Sequence, residues 1–169
     1  MKTFVRIATI ALSLVAAAPS DASMIAAGEP FPAWSLRDHE GKTVSSKDLA
    51  GTRYLLWFYP AAMTPGCTAE GQGLRDAHEQ FAAEGVEIFG ISFDEPEKNK
   101  RFVEAHGFPY RLLTADADLA MKVGAASSPE QTYARRISYL VGEDGRVLRA
   151  YDDVTPSSHA EQVLTDVNG

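Results

Sequence analysis

Tyr54-Leu-Leu-Trp-Phe-Tyr-Pro-Ala-Ala-Met-Thr-Pro-Gly-Cys-Thr-Ala-Glu70 holds an apolar run, a proline, a capping signal and the only cysteine of the chain in one unbroken stretch. The run from Tyr54 to Tyr59 fits a strand buried on both faces, and Pro60 ends it because proline has no N–H to give a ladder. Thr64 and Pro65 then predict a helix start: Thr is a favoured N-cap, and a proline at the first helical position has its φ already set. Gly66 and Cys67 fall in the first turn, where backbone N–H groups lack intrahelical partners and the helix dipole favours an anion. The thiolate of Cys67 is therefore favoured over the thiol. Two readings stand side by side: a reactive thiolate, and a small buried apolar residue, since Cys67, Leu74, Ala77 and Phe81 share one helical face.

Outward from this stretch, the helix is expected to run from about Pro65 to Glu84, with Gly85 as its stop, and Val86 to Ser92 is a second apolar strand. Strand, helix and strand make a parallel pair with a right-handed crossover. Cys67 then lies beyond the carboxyl end of a central strand, where open α/β sheets place their crevices. Upstream, Gly28 to Pro32 reads as irregular, Ala33 to Arg37 and Lys42 to Ser45 as a hairpin, and Ser46 as the cap of a short helix closing at Gly51. Downstream come an amphipathic helix over Asp94 to His106, a strand at 110–114, a short helix at 118–123 and an irregular loop at 124–133. A hairpin of Arg136–Val141 and Arg146–Tyr151 turns on Gly142 to Gly145. Ser158 and Glu161 form a capping-box pattern before a last helix with Ala160, Val163, Leu164 and Val167 on one face. This order specifies a thioredoxin-like α/β fold, a central mixed sheet flanked by helices with an N-terminal β-hairpin extension, in a single domain over residues 23–169.

Residues 1–22 read as a signal peptide: Lys2 and Arg6 precede an apolar core from Ile7 to Ala18, and Ser20-Asp21-Ala22 offers small residues for cleavage. A periplasmic or secreted protein follows, or a cytoplasmic one if translation starts at Met24. The formal net charge of −7, with no basic run, argues against nucleic acid and anionic membrane as partners. One cysteine excludes an internal disulfide. His39, His78, His106 and His159 show no metal-ligand spacing and read as ordinary surface histidines, and no cofactor is called for.

The chemistry open to Cys67 narrows by elimination. Dithiol exchange needs a second cysteine in a C-x-x-C pair, and position 64 is Thr. Protease-type acyl transfer needs a histidine base, whereas the groups expected near Cys67 are a hydroxyl, a guanidinium and backbone N–H. A solitary thiolate is left with electrophiles that need no general base, of which a peroxide O–O bond is the natural one.

The pattern Pro60-x-x-x-Thr64-x-x-Cys67, within Phe58 to Glu70, resembles the peroxidatic motif of the peroxiredoxins, in particular the bacterioferritin comigratory protein or peroxiredoxin Q branch. The resemblance extends from about Gly28 to Val167 and takes in Gly71–Asp76, Gly90–Ser92, Arg136–Leu140, Asp144-Gly145 and Asp152-Asp153. It implies a peroxidase reducing hydrogen peroxide and organic hydroperoxides through a Cys67 sulfenic acid. Thr64 Oγ and the N–H groups of Gly66 and Cys67 would hold the peroxide, Arg136 would bind it and favour the thiolate, Pro60 would shield the site, and Glu70 would orient Arg136. Each also has a plainer reading: a cap, a strand stop, a charge at a helix start, a surface arginine. Strand alternation sets Arg135 on the face opposite Arg136, and the Arg-Ile-Ser pattern selects Arg136. Many members of the branch carry a resolving cysteine five residues after the first, where this chain has Gln72. The implied partner is therefore an external thiol: a thioredoxin-like protein, glutaredoxin, glutathione or a second subunit, the chain being a monomer or homodimer. A peroxide sensor or relay without efficient turnover is the alternative.

Overall fold

The computed structural model describes residues 23–169, so the leader read over residues 1–22 lies outside the described residues. The elements in chain order are β1 (Ser35–Asp38), β2 (Thr43–Ser45), a 3-10 helix (Ser46–Leu49), β3 (Arg53–Phe58), α1 (Pro65–Asp76), α2 (His78–Ala83), β4 (Val86–Ser92), α3 (Pro96–His106), β5 (Arg111–Thr114), α4 (Ala117–Lys122), β6 (Ile137–Val141), β7 (Val147–Tyr151) and α5 (His159–Asn168). They build one seven-stranded mixed sheet in the order β2-β1-β5-β4-β3-β6-β7.

β3 sits inside this sheet because both of its faces are apolar. It pairs in parallel with β4, Phe58 opposite Ile91, and antiparallel with β6, Phe58 opposite Ile137. Leu56 and Phe58 pack on one side with Trp34, Phe89 and Tyr139. Leu55 and Trp57, with Tyr59 just beyond the strand, pack on the other with Cys67, Leu74, Phe81 and Phe102. The N-terminal hairpin is part of the same sheet, since β1 pairs antiparallel with β5.

The single helix expected over 65–84 is two helices. Ala77, at φ −93° and ψ 0°, leaves the helical region between α1 and α2. Leu74, Ala77 and Phe81 nevertheless stay in one buried cluster, so the apolar stripe survives the break that it concealed. The cap expected at Ser46 lies one residue earlier, at Ser45, which forms a capping box with Asp48. At α5 the Ser158–Glu161 box does not form. Ser158 lies at ψ 0° and makes no side-chain cap, and its N–H closes a turn onto Thr155 O at 3.1 Å.

α1 is pressed onto its neighbours by a missing side chain. A Cβ at Gly71 would stand 2.6 Å from Phe108 Cζ. The Phe108 ring is held between Tyr110, stacked at 5.3 Å, and Phe102, edge-on at 4.9 Å. Tyr110 also donates its hydroxyl to Gly71 O at 2.7 Å. Ala at this position gains roughly 1 kcal/mol of helix propensity, but overpacking a fixed ring costs about 1–3 kcal/mol. Gly71→Ala is therefore expected to lower the urea midpoint of unfolding; a raised midpoint would show that α1 has slack above Phe108.

Candidate active site

Cys67 lies in the first turn of α1 with no exposed surface, at the carboxyl end of β3 as the strand–helix order requires. Thr64 occupies the N-cap position in an extended conformation, φ −86° and ψ 151°, but its side chain does not cap the helix. Its hydroxyl donates instead to Ala61 O at 2.8 Å. The expected side-chain cap is thus replaced by a turn within the loop, and the first-turn N–H groups of α1 are left for another acceptor.

The loop that carries Thr64 is strained and pinned. Met63 has φ 69°, in the left-handed region that costs a non-glycine residue about 1–2 kcal/mol. On the far side Ala62 N–H donates to Asp94 Oδ2 at 2.6 Å, and Asp94 Oδ1 pairs with Lys98 at 2.6 Å. Below it, Tyr59 OH donates to Asn99 Oδ1 at 2.6 Å, and Ser92 Oγ is 3.2 Å from Asp94 Oδ2. Pro60 is half-buried above this network. These contacts hold the strained loop in one shape.

Arg136 arrives from the residue before β6. Its Nη2 donates to Cys67 Sγ at 3.3 Å, and its Nη1 forms an ion pair with Glu70 Oε2. The expected choice between the two arginines is resolved by their directions, because Arg135 Nη1 donates to Gly124 O at 2.9 Å while its own N–H bonds Ala125 O at 2.7 Å. Gly66 makes room for the guanidinium: a Cβ there would meet Arg136 Nη2 at 3.1 Å and Pro156 Cγ at 3.8 Å. The fork of the guanidinium thus joins sulfur and carboxylate, a geometry a lysine cannot copy.

Glu70 is wholly buried, and burial pushes its carboxyl up to about 7 against the pull of Arg136. For Arg136, burial opposes the charge, yet Glu70 and the Cys67 sulfur together hold the guanidinium above its ordinary value. A cation fixed against sulfur lowers the energy of the thiolate and of negative charge arriving beside it. So Cys67, Gly66, Glu70 and Arg136 are brought together, with Thr64 and Pro60 on the loop that leads into α1.

Three contributors escaped the sequence reading. Asp94 anchors the loop; Ser138 and His159 stand behind Glu70. His159, read as a surface histidine, is fully buried, with Nε2 2.9 Å from Ser138 Oγ and 3.9 Å from Glu70 Oε1. Ser138 had left a trace, as a polar residue on the Arg136 face of an otherwise apolar strand. Gln72, where a second thiol would lie, reaches His106 Nδ1 at 3.4 Å, and Arg75 Nη1 donates to His106 O at 2.7 Å. Both tie α1 to α3.

The AhpC/TSA family model matches residues 27–150. Peroxiredoxin Bcp of Escherichia coli strain K12 is 39% identical over 144 residues, covering 82% of this chain and 92% of the relative. Among solved structures, peroxidoxin BcpB from Mycobacterium tuberculosis superposes with a TM-score of 0.78 at 29% identity, over 84% of this chain and 96% of that one. A bacterioferritin comigratory protein of Xanthomonas campestris, described for alkyl peroxide reduction activity, gives a TM-score of 0.71 at 26% identity, covering 80% of this chain and 90% of that one.

Proposed function

The chain belongs to the AhpC/TSA family and is a peroxiredoxin of the Bcp/PrxQ kind, and on that premise we propose that it reduces hydrogen peroxide and organic hydroperoxides by a one-cysteine cycle that an external thiol completes. The observation that carries this reading is the forked contact of Arg136 with Cys67 Sγ and Glu70. The thiolate attacks the terminal oxygen of the peroxide. An S–O bond forms as the O–O bond breaks, sulfur is oxidised to the sulfenic acid, and the departing alkoxide or hydroxide takes up a proton. Arg136 and the first-turn N–H groups of Gly66 and Cys67 face the place where that negative charge develops, with Thr64 and Pro60 orienting and shielding the peroxide. The alkyl peroxide activity named for the Xanthomonas campestris relative supports organic hydroperoxides as substrates.

Completion of the cycle rests on the lone cysteine. Gln72 supplies no sulfur at the position where many relatives have one, so an external thiol must attack the sulfenic acid, release water and leave a mixed disulfide on Cys67. A second thiol then frees Cys67. A thioredoxin-like protein, glutaredoxin or glutathione has this chemistry. If residues 1–22 act as a signal peptide, as we also propose, the cycle runs in the periplasm or outside the cell, in antioxidant defence.

The missing second sulfur favours one other reading, a peroxide sensor oxidised once and reduced by a dedicated partner. Peroxide consumption followed with glutathione or a thioredoxin system, with mass spectrometry of Cys67, separates the two. The cycle predicts many equivalents of peroxide consumed and a trapped mixed disulfide at Cys67. A single stoichiometric oxidation with every reductant would favour the sensor.

A further inference from the structure

Behind Glu70 the structure holds two buried polar atoms without hydrogen-bond partners, Glu70 Oε1 and His159 Nδ1. Each leaves a desolvation cost unmet, which a protein keeps at few places. Glu70 uses Oε2 for Arg136, so Oε1 has only His159 Nε2 before it, at 3.9 Å. The same Nε2 is 2.9 Å from Ser138 Oγ, two residues along the strand from Arg136. Burial lowers the imidazole to about 4, against a smaller opposing pull from the Gln162 side chain and with the nearby Arg136 charge adding to the effect, so it is neutral at pH 7. Its single proton belongs on Nε2, because that nitrogen faces Ser138 Oγ and a carboxylate oxygen, which can only accept, whereas Nδ1 has no partner within hydrogen-bond distance.

The imidazole is held firmly. Tyr151 meets its ring edge-on at 5.3 Å, and Tyr151 OH donates to Asp166 Oδ2 at 2.9 Å, farther along α5. The charged and titratable groups facing this pair are Arg136 and Cys67 on the catalytic side, Tyr110 from the residue before β5, and Tyr151 from β7. His159 Nε2 lies opposite the free oxygen of Glu70, at 3.9 Å.

We infer that His159 is a positioning residue of this site: its Nε2–H, directed between Ser138 Oγ and Glu70 Oε1, supports the carboxylate that holds Arg136 against Cys67 Sγ. The C-terminal helix is then part of the catalytic arrangement. The N–H dipole stabilises Glu70 as an anion, and only the anion grips both the guanidinium and, through it, the thiolate side of the site. As pH falls through the range in which Glu70 gains a proton, near 7, the grip weakens and the oxidation of Cys67 slows. Removing the dipole moves that loss to higher pH.

The inference rests on the peroxidatic reading of Cys67, and one stopped-flow series tests both separately. The wild-type rate of Cys67 oxidation by hydrogen peroxide tests the reading; the variants test the inference. His159→Leu is expected to slow oxidation at pH 7.5 several-fold, by up to about tenfold, as the loss of an N–H dipole 3.9 Å from a buried carboxylate implies, and to shift the acid limb of the rate profile upward. His159→Gln, which restores a donor, recovers part of both. In a Glu70→Gln background His159→Leu adds no further loss, since there is no carboxylate left to support. A wild-type rate and profile in folded His159→Leu, or an equal loss with and without Glu70, overturns the inference. Should His159→Leu fail to fold, Ser138→Ala, which removes the partner that aims the ring, is judged in both backgrounds by the same criteria.

Discussion

Cys67→Ser is expected to abolish peroxide reduction while leaving the fold intact. A serine hydroxyl has no thiolate form at neutral pH and no sulfur to oxidise, so neither the attack nor the sulfenic acid is available to it. The substitution removes no carbon atom from the core around Leu55, Trp57 and Leu74, and the new hydroxyl lies where Arg136 Nη2 already donates. Peroxide consumption with any thiol reductant should fall to the background of the reductant alone, while the urea midpoint changes little. Residual turnover above that background would place the chemistry elsewhere in the chain.

Arg136→Ala is the second large effect. It takes the only described cation away from the sulfur and strips Glu70 of its ion-pair partner in one step. Losing one preorganised electrostatic donor at a reacting centre costs on the order of 10²–10³ in rate, and that is the expected fall in the rate of Cys67 oxidation. Arg136→Lys should rescue little, because one ammonium cannot reach both the sulfur and the carboxylate as a fork does. Stability should fall by less than the ~3–5 kcal/mol typical of breaking a buried ion pair, since Glu70, already raised to about 7, can accept a proton and become neutral. Stopped-flow rates and urea midpoints of both variants check these expectations; a lysine variant with the wild-type rate would reduce Arg136 to a bulk charge.

These residues differ in how far the sequence disclosed them. β3 was legible because six consecutive apolar residues, Tyr54 to Tyr59, have few other uses, β4 because Val86, Ile88, Phe89 and Ile91 crowd a stretch of seven, and the hairpin of β6 and β7 because Gly142 to Gly145 turns it. Arg136 was legible through the Arg-Ile-Ser pattern of the resemblance, with alternation setting Arg135 on the other face, although it lies 69 residues from Cys67. The break at Ala77 was not, because the same apolar stripe runs through α1 and α2 and periodicity follows faces, not axes. His159 was hidden by its neighbours: Ser158 and Glu161 imitate a surface capping box, while the helix they open turns the histidine under Tyr151 toward Glu70. Asp94 was hidden for a similar reason. At a helix start an aspartate reads as a solvated charge, and only the tertiary structure brings it to the Ala62 N–H, 32 residues away. What is long-range and polar in this site had to be seen in three dimensions, because a single polar residue has no period to betray its partner.

The speed of one step tests the peroxidatic role of Cys67 most directly. Mixed with hydrogen peroxide in the absence of any reductant, the wild-type protein should form the Cys67 sulfenic acid at least ~10³-fold faster than a free cysteine thiol at the same pH, as positioning and electrostatic stabilisation together allow. A rate constant no greater than that of the free thiol would contradict it, leaving Cys67 a buried cysteine that happens to lie beside an arginine.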